Sequence, residues 1–258
     1  MPDKVRTEFL HSREVVRITL NAPKANILDS HMMGELRGEL ASLAQEPQIK
    51  LVQLTGAGDH FSFGASVQEH ARDQAARMLE QFHGIFYQLI DLAVPTAALV
   101  SGQCLGGGLE LALMCNFLIL DETAKLGQPE ISLAVFPPPA SLILPLKLGQ
   151  ARADELLLTG RSVSAAEAVA LGMACQSYES RAAMLAGVDA WIEKQILPKS
   201  ASSLRIAVKA GRHMFNDVLR ERLKDLERVY VSELMATHDA NEGIAAFLER
   251  RPPVWENR

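Results

Sequence analysis

Ser101-Gly-Gln-Cys-Leu-Gly-Gly-Gly-Leu-Glu-Leu-Ala-Leu113 is the stretch on which the fold turns. An apolar approach leads into three glycines, and a leucine- and alanine-rich run with helical spacing follows. The order reads as strand, tight turn, helix start. Glycines let a ligand come close to the backbone, and free N–H groups at a helix start favour negative charge. The plainer alternative is a tight turn with close packing. Leu92 to Leu120 carries one charge, Glu110, in 29 residues. Hydropathy alone would suggest a membrane span. Pro95, the glycines, Gln103, Asn116 and Glu110 interrupt it, so a buried strand-turn-helix-strand is the better reading. A buried carboxylate is costly, which marks Glu110 as a functional candidate.

Twenty residues further on, Lys125-Leu-Gly-Gln-Pro-Glu-Ile131 carries a second glutamate, Glu130. Helix, buried strand and turn between them can return both carboxylates to one place, as an acid/base pair beside an anion-binding turn. Taken alone, Glu130 also suits a helix N-terminus or the surface. A second glycine turn, Phe63-Gly64-Ala65-Ser66, can supply another amide to the same oxygen. Ser66 lacks the G-x-S-x-G setting of a nucleophile. The glycine run has neither the G-x-G-x-x-G order of a dinucleotide-binding loop nor the Gly-Lys-Ser/Thr of a P-loop.

Outward from this centre, Val15–Leu20 alternates as a strand. Asp29 or Ser30 caps a helix running to about Gln45, with Met33, Leu36, Leu40 and Leu43 on one face. Ile49–Thr55 is a strand, Phe61–Ser66 leads into a helix, and Arg77–Leu92 is helical. Thr96–Val100 and Phe117–Leu120 are strands. This alternation predicts an α/β architecture. Beyond residue 140 helices dominate. Ser164-Ala-Ala-Glu167 has capping-box spacing, and helices are predicted over 204–214, 218–235 and 241–248.

The 258 residues suffice for one large core, and their formal net charge of −5 argues against nucleic acid as the main partner. Basic residues gather locally at Lys24 and at Arg250-Arg251, which suits a ligand with a few phosphates. Cys104, Cys115 and Cys175 are widely spaced and read as small buried residues, so a reducing cytoplasm is the default expectation. The first residues lack an apolar signal core. His60, His70 and His83 lack metal-ligand spacing and read as solvated or capped, so no metal site is expected.

In order and spacing, several segments together resemble the crotonase (enoyl-CoA hydratase/isomerase) superfamily over nearly the whole chain. They are Pro23-Lys-Ala-Asn26, Phe61-Ser-Phe-Gly-Ala65, Gly102–Glu110, Gly127-Gln-Pro-Glu130, Leu157-Leu-Thr-Gly-Arg161, Ala165-Ala-Glu-Ala168 with Gly172, and Glu242–Arg251. The resemblance implies a spiral of ββα units over residues 1–198 and a helical trimerisation region over 199–258. It implies that the Ala65 and Gly107 amides form an oxyanion hole for a coenzyme A thioester carbonyl. Glu110, mainly activating water, and Glu130, mainly protonating carbon, would be the catalytic carboxylates. Lys24, Ala25 and Ile27, together with Gly64, Ser66, Gly106, Pro137 and Pro138, would line the thioester site. Phe247 and Arg250 would reach a neighbouring subunit's coenzyme A in a homotrimer or a dimer of trimers. Neither a separate cofactor, coenzyme A being part of the substrate, nor a membrane partner is implied.

Two departures from the family pattern stand out. Ser66 replaces an expected aspartate, and Pro137-Pro-Pro-Ala-Ser141 replaces a glycine-rich turn. Pro138 stands where a glycine amide is expected, so a donor near the catalytic water is predicted to be missing and the wall to be stiffer. The same two segments resemble hydratases acting on cyclohexa-1,5-diene-1-carbonyl-CoA in anaerobic aromatic degradation. A general enoyl-CoA hydratase, an enoyl-CoA isomerase needing one glutamate, a dehydrogenase and a non-catalytic binding protein are the alternatives.

Overall fold

β1 (Val5–Leu10) and β2 (Val15–Leu20) pair antiparallel and start a sheet whose remaining neighbours are parallel. Its order is β1-β2-β3-β4-β6-β9, with β3 (Leu51–Gly56), β4 (Thr96–Val100), β6 (Phe117–Asp121) and β9 (Gln176–Tyr178). A second sheet, β5-β7-β8, joins Gln103–Leu105, Lys125–Gly127 and Ser162–Ser164. The computed structural model describes residues 3–71 and 74–258.

The chain climbs as a repeated unit. Each turn lays one strand into the large sheet and one extended segment into the second layer, then returns through a helix. β2 is followed by Leu28 and helix α1 (Ser30–Leu43). β3 is followed by Ser62 and Ala65, then helix α2 (Ala75–Leu92). β4 is followed by β5 and helix α3 (Gly107–Met114). Single bridges, Leu28 with Ala65 and Ser62 with Cys104, tie successive turns together in the second layer. This is the ββα spiral, and it brings Ala65 and Gly106-Gly107 to the same level of neighbouring turns.

β3 and β4 are buried along their whole length, so both faces of the sheet need apolar cover. Alternate residues supply it. Val52, Leu54, Ala98 and Val100 join the main core, whereas Leu51, Ala97 and Leu99 face a second cluster with Met184 and Val188 of helix α7 (Arg181–Trp191). Helix α1 starts where expected, the Asp29 carboxylate accepting from Met32 N at 2.9 Å. It buries Met32, Met33, Leu36, Leu40 and Leu43. Each such side chain contributes about 1.5–3 kcal/mol by leaving water, and truncating Leu36 to Ala costs about 2–5 kcal/mol.

Several expectations need correction. The Phe61–Ser66 segment leads into a single 3-10 turn, Val67–His70, rather than directly into a helix. Ser164 accepts from Glu167 N at 3.2 Å, but the Glu167 side chain reaches Arg161 instead of closing the capping box. Cys104 and Cys115 are buried, while Cys175 is exposed. His83 is fully buried and bonds Glu227 through Nδ1 at 2.5 Å, so it is not a solvated residue.

After β7 come a 3-10 turn (Pro129–Leu133) and helices α4 (Pro138–Leu148), α5 (Gln150–Thr159) and α6 (Ala165–Ala170). The C-terminal part is helical: α8 (Ala201–Gly211), α9 (His213–Arg228), a continuation to Ala236, and α10 (His238–Glu249). Leu219, Tyr230, Met235, Ala240 and Ile244 enter the main core. Gly243 lets α10 lie directly on the Pro129–Leu133 turn, because a Cβ there would fall 2.2 Å from the Leu133 carbonyl oxygen. The last helix is thereby seated beside Glu130.

Candidate active site

Two backbone amides come first. Asn26 is buried, and its side-chain amide donates to the carbonyls of Ala57, His60 and Phe61 at 2.9–3.1 Å while its oxygen accepts from Ala22 N. Ser62 Oγ donates to Asn26 O at 2.7 Å and accepts from Gly64 N at 3.0 Å. These bonds fix the Phe63-Gly64-Ala65 turn. Among the described hydrogen bonds, neither Ala65 N–H nor Gly107 N–H, the first amide of α3, has an acceptor. The two lie close together: a Cβ on Gly107 would sit 3.2 Å from Ala65 N. Gly106 makes the approach at φ +51°, and a Cβ on it would meet Glu130 Oε1 at 2.6 Å. Only glycine fits there.

Glu110 lies in the first turn of α3 and is 3% exposed. Its Oε1 accepts from Ala140 N at 2.8 Å. Pro138 indeed offers no N–H, and the amide that reaches the carboxylate comes from two residues further on. Pro137, Pro138 and Pro139 have no N–H, and Pro138 and Pro139 occupy the opening positions of α4, where proline is tolerated. The first unsatisfied amide of that helix is then Ala140's, and it points at the carboxylate. A helix N-terminus also favours a negative charge.

Glu130 lies in the 3-10 turn after β7 and is partly exposed. With its amide oriented to satisfy both of its atoms, Gln128 donates to both Glu130 oxygens, at 3.1 and 3.0 Å. Burial and then the Glu130 charge push the Glu110 carboxyl well above the ordinary range, opposed by the Ala140 N–H. Burial pushes Glu130 up as well. Two neighbouring carboxyls in one apolar cavity do not both ionise readily, so the pair retains a proton near neutral pH. One member can accept a proton while the other donates.

Both glutamates and both amides line one cavity of about 540 Å³. Ala25, Ile27, Gly64, Ser66, Gly106, Pro137, Pro138 and Phe247 also line it. Lys24 is exposed and outside the lining. Arg250 is exposed too, closing α10 at φ +55°. The remaining wall is mostly apolar, with Met78, Leu79, Phe82, Val135 and Phe136. Sequence reasoning missed several polar members in or near the cavity, Gln68, Gln128, His70, Ser132 and Tyr230 among them. Gln128 sits inside the Gly-Gln-Pro-Glu segment and could have been singled out there. His70 and Tyr230 enter the lining through tertiary packing, from a 3-10 turn and the helical continuation of α9. Among the described residues no group of three or more His, Cys, Asp or Glu is arranged to hold a metal. No helix there is long and apolar enough to cross a membrane.

The sequence matches the enoyl-CoA hydratase/isomerase family over residues 11–258. The chain belongs to that family. Among curated members, it is 45% identical to a cyclohexa-1,5-dienecarbonyl-CoA hydratase of Thauera aromatica, with 95% of this chain and 93% of that protein covered. It is 38% identical to a probable enoyl-CoA hydratase of Mycobacterium bovis, covering 93% and 94%. A solved enoyl-CoA hydratase of Mycobacterium avium subsp. paratuberculosis K-10 superposes with a TM-score of 0.86 at 24% identity, covering 98% and 99% of the two chains. That structure shares the crotonase fold.

Proposed function

We propose that this member of the family is a hydro-lyase that adds water to a conjugated enoyl thioester of coenzyme A, with a cyclic dienoyl group as the favoured acyl class. The observation that carries the reading is the meeting of two carboxyl groups and two unengaged amides in one largely apolar cavity. The Ala65 and Gly107 N–H groups hold the thioester oxygen as it gains charge, which makes the conjugated alkene electrophilic. Glu110, held by the Ala140 N–H, takes a proton from water as its oxygen bonds to carbon. Glu130, protonated in the resting site, gives a proton to carbon. The relative from Thauera, named for a cyclic diene, and the roomy cavity support the narrower substrate class.

Ala25, Ile27 and Lys24 flank the coenzyme A moiety, with Gly64, Ser66, Gly106, Pro137 and Pro138 around the thioester and acyl group. Residues 199–258 form an oligomerisation region in a homotrimer or a dimer of trimers, with Phe247 and Arg250 reaching a neighbouring subunit's ligand. Exposed apolar residues Ile206 and Met214 favour such an assembly. The chemistry requires no separate cofactor, and a cytoplasmic acyl-CoA pool is its natural setting.

The test is to incubate the protein separately with crotonyl-CoA and cyclohexa-1,5-diene-1-carbonyl-CoA and follow product masses. Gain of one water on the diene with little on crotonyl-CoA supports the cyclic reading. The reverse result reduces it to a general enoyl-CoA hydratase, and hydration of neither removes it.

A further inference from the structure

His83 is a buried titratable group that the proposed chemistry does not use. It is 0% exposed, in the middle of α2, and does not line the cavity. Its Nδ1 lies 2.5 Å from Oε1 of Glu227, in the last turn of α9. A carboxylate only accepts, so Nδ1 carries the hydrogen. Burial, opposed by Glu227, holds the imidazole below its ordinary value and so neutral. Nε2 has no partner among the described residues. An apolar side chain would fill this position without that cost. The imidazole makes its one hydrogen bond by tying α2 to α9.

Each side of the tie leads into the cavity wall. On α2, Phe82 adjoins His83, and Phe86 stands edge-on to both, with ring centroids 5.1 and 6.3 Å away. Phe82 borders the two amides: a Cβ on Gly107 would fall 3.1 Å from its Cζ. Met78 and Leu79, one turn earlier, line the same wall. On the other side, Tyr230 follows Glu227 within one turn. Its ring meets Phe136 at 5.4 Å and His70 at 6.5 Å between centroids. Burial, with the charges of Glu130 and Glu110 in range, pushes its phenol up. An acyl group held at the amides and hydrated at the carboxyls therefore contacts both walls.

We infer that the His83–Glu227 pair fixes the separation of α2 from the end of α9, and with it the fit of the acyl pocket to a compact ring. Neither residue touches the acyl group, so both are positioning residues that set specificity from outside the cavity. This rests on the coenzyme A thioester reading and deepens it. A six-membered ring has nearly one shape and gains from walls held at one spacing. A linear chain has many shapes and loses less when the walls part.

Saturated thioesters test it without turnover. Binding of cyclohexanecarbonyl-CoA and heptanoyl-CoA, equal in carbon count, is measured by calorimetry for the wild type, Glu227→Ala and Glu227→Gln. The wild type binds the ring roughly tenfold more tightly than the chain, the size of discrimination that fit in an apolar pocket gives. Glu227→Ala releases His83 and brings the two affinities within about threefold on the same scale. Glu227→Gln keeps an acceptor for the Nδ1 hydrogen and keeps the preference. Glu227 is partly exposed, so both variants should fold, with circular dichroism as the check. A merely structural pair would weaken both ligands by one factor, leaving the ratio unchanged, and would overturn the inference. Full ring preference in Glu227→Ala, or none in the wild type, overturns it alone. Failure of both thioesters to bind the wild type overturns the thioester reading, and this inference with it.

Discussion

Replacing Ala140 by proline deletes one hydrogen atom that the site depends on. The Ala140 N–H is 2.8 Å from Glu110 Oε1. No neighbouring amide can replace it. Pro137, Pro138 and Pro139 carry none, and Ser141 N already donates to Pro137 O at 2.9 Å. A hydrogen bond to a charged group contributes about 1.5–3 kcal/mol. Its loss raises the already elevated Glu110 carboxyl further, because the Ala140 N–H is what opposes the upward push of burial and of Glu130. In the proposed mechanism Glu110 is the base and must be ionised, so the rising limb of the kcat/KM profile moves to higher pH. At neutral pH the rate falls roughly 10- to 100-fold. Proline is tolerated in a first helical turn, so α4 should persist. The assay is kcat/KM against pH on the thioester that the wild type hydrates, with circular dichroism to check folding. Ala140→Gly keeps the N–H and serves as control, with a loss of about threefold or less. In a Glu110→Gln background the proline should add little, since there is no carboxylate left to stabilise. A folded Ala140→Pro protein with wild-type rate and an unshifted profile would refute the reasoning.

Gly106→Ala places a Cβ 2.6 Å from Glu130 Oε1 at φ +51°; hydration should fall at least about 100-fold, with a stability loss of about 1–3 kcal/mol read by denaturant titration. Gln128→Leu removes the donors to both Glu130 oxygens, raises its pKa further, and should move the descending limb of kcat to higher pH while lowering the rate about tenfold. The folded state binds more protons than the unfolded chain between the ordinary glutamate value of 4.5 and about 8, because burial raises both carboxyls. Their contribution therefore favours folding at low pH and is lost as pH rises through that window; urea midpoints should drop less across it in a Glu110→Gln, Glu130→Gln protein than in the wild type. Asp29→Ala removes the cap on Met32 N and should cost about 1 kcal/mol, or about 2–4 °C in Tm.

The spiral was legible because its local signals agree. Period-two strands, a capped amphipathic helix and two glycine turns recur in an order that few folds accommodate, and each appears in the structure within a few residues of its expected place. The two glutamates were legible for a different reason: Glu110 is a lone charge in a 29-residue apolar stretch, and such a residue is retained against a steep desolvation cost. What could not be read was which amide faces which carboxylate. Pro138 removes the amide expected at its own position, and the sequence did not show that the next free amide would face Glu110. Three consecutive prolines delay the first free N–H to Ala140 and thereby direct it.

His70 and Tyr230 show where local reading stops. They are 160 residues apart in the sequence, and each taken alone is an ordinary member of a short helical turn. Their juxtaposition depends on α10 and the end of α9 folding back over the second layer, which Gly243 permits by close approach to Leu133. The C-terminal helices thus complete the cavity wall as well as adding to the core. The two proposed catalytic carboxylates, held by neighbouring turns of the spiral, keep their geometry as long as the spiral does. The part of the wall supplied by Tyr230 can change with the packing of a distant helix. Under the proposed function, substitutions along the inner faces of α9 and α10 are therefore expected to alter which acyl group is accepted before they alter the addition of water.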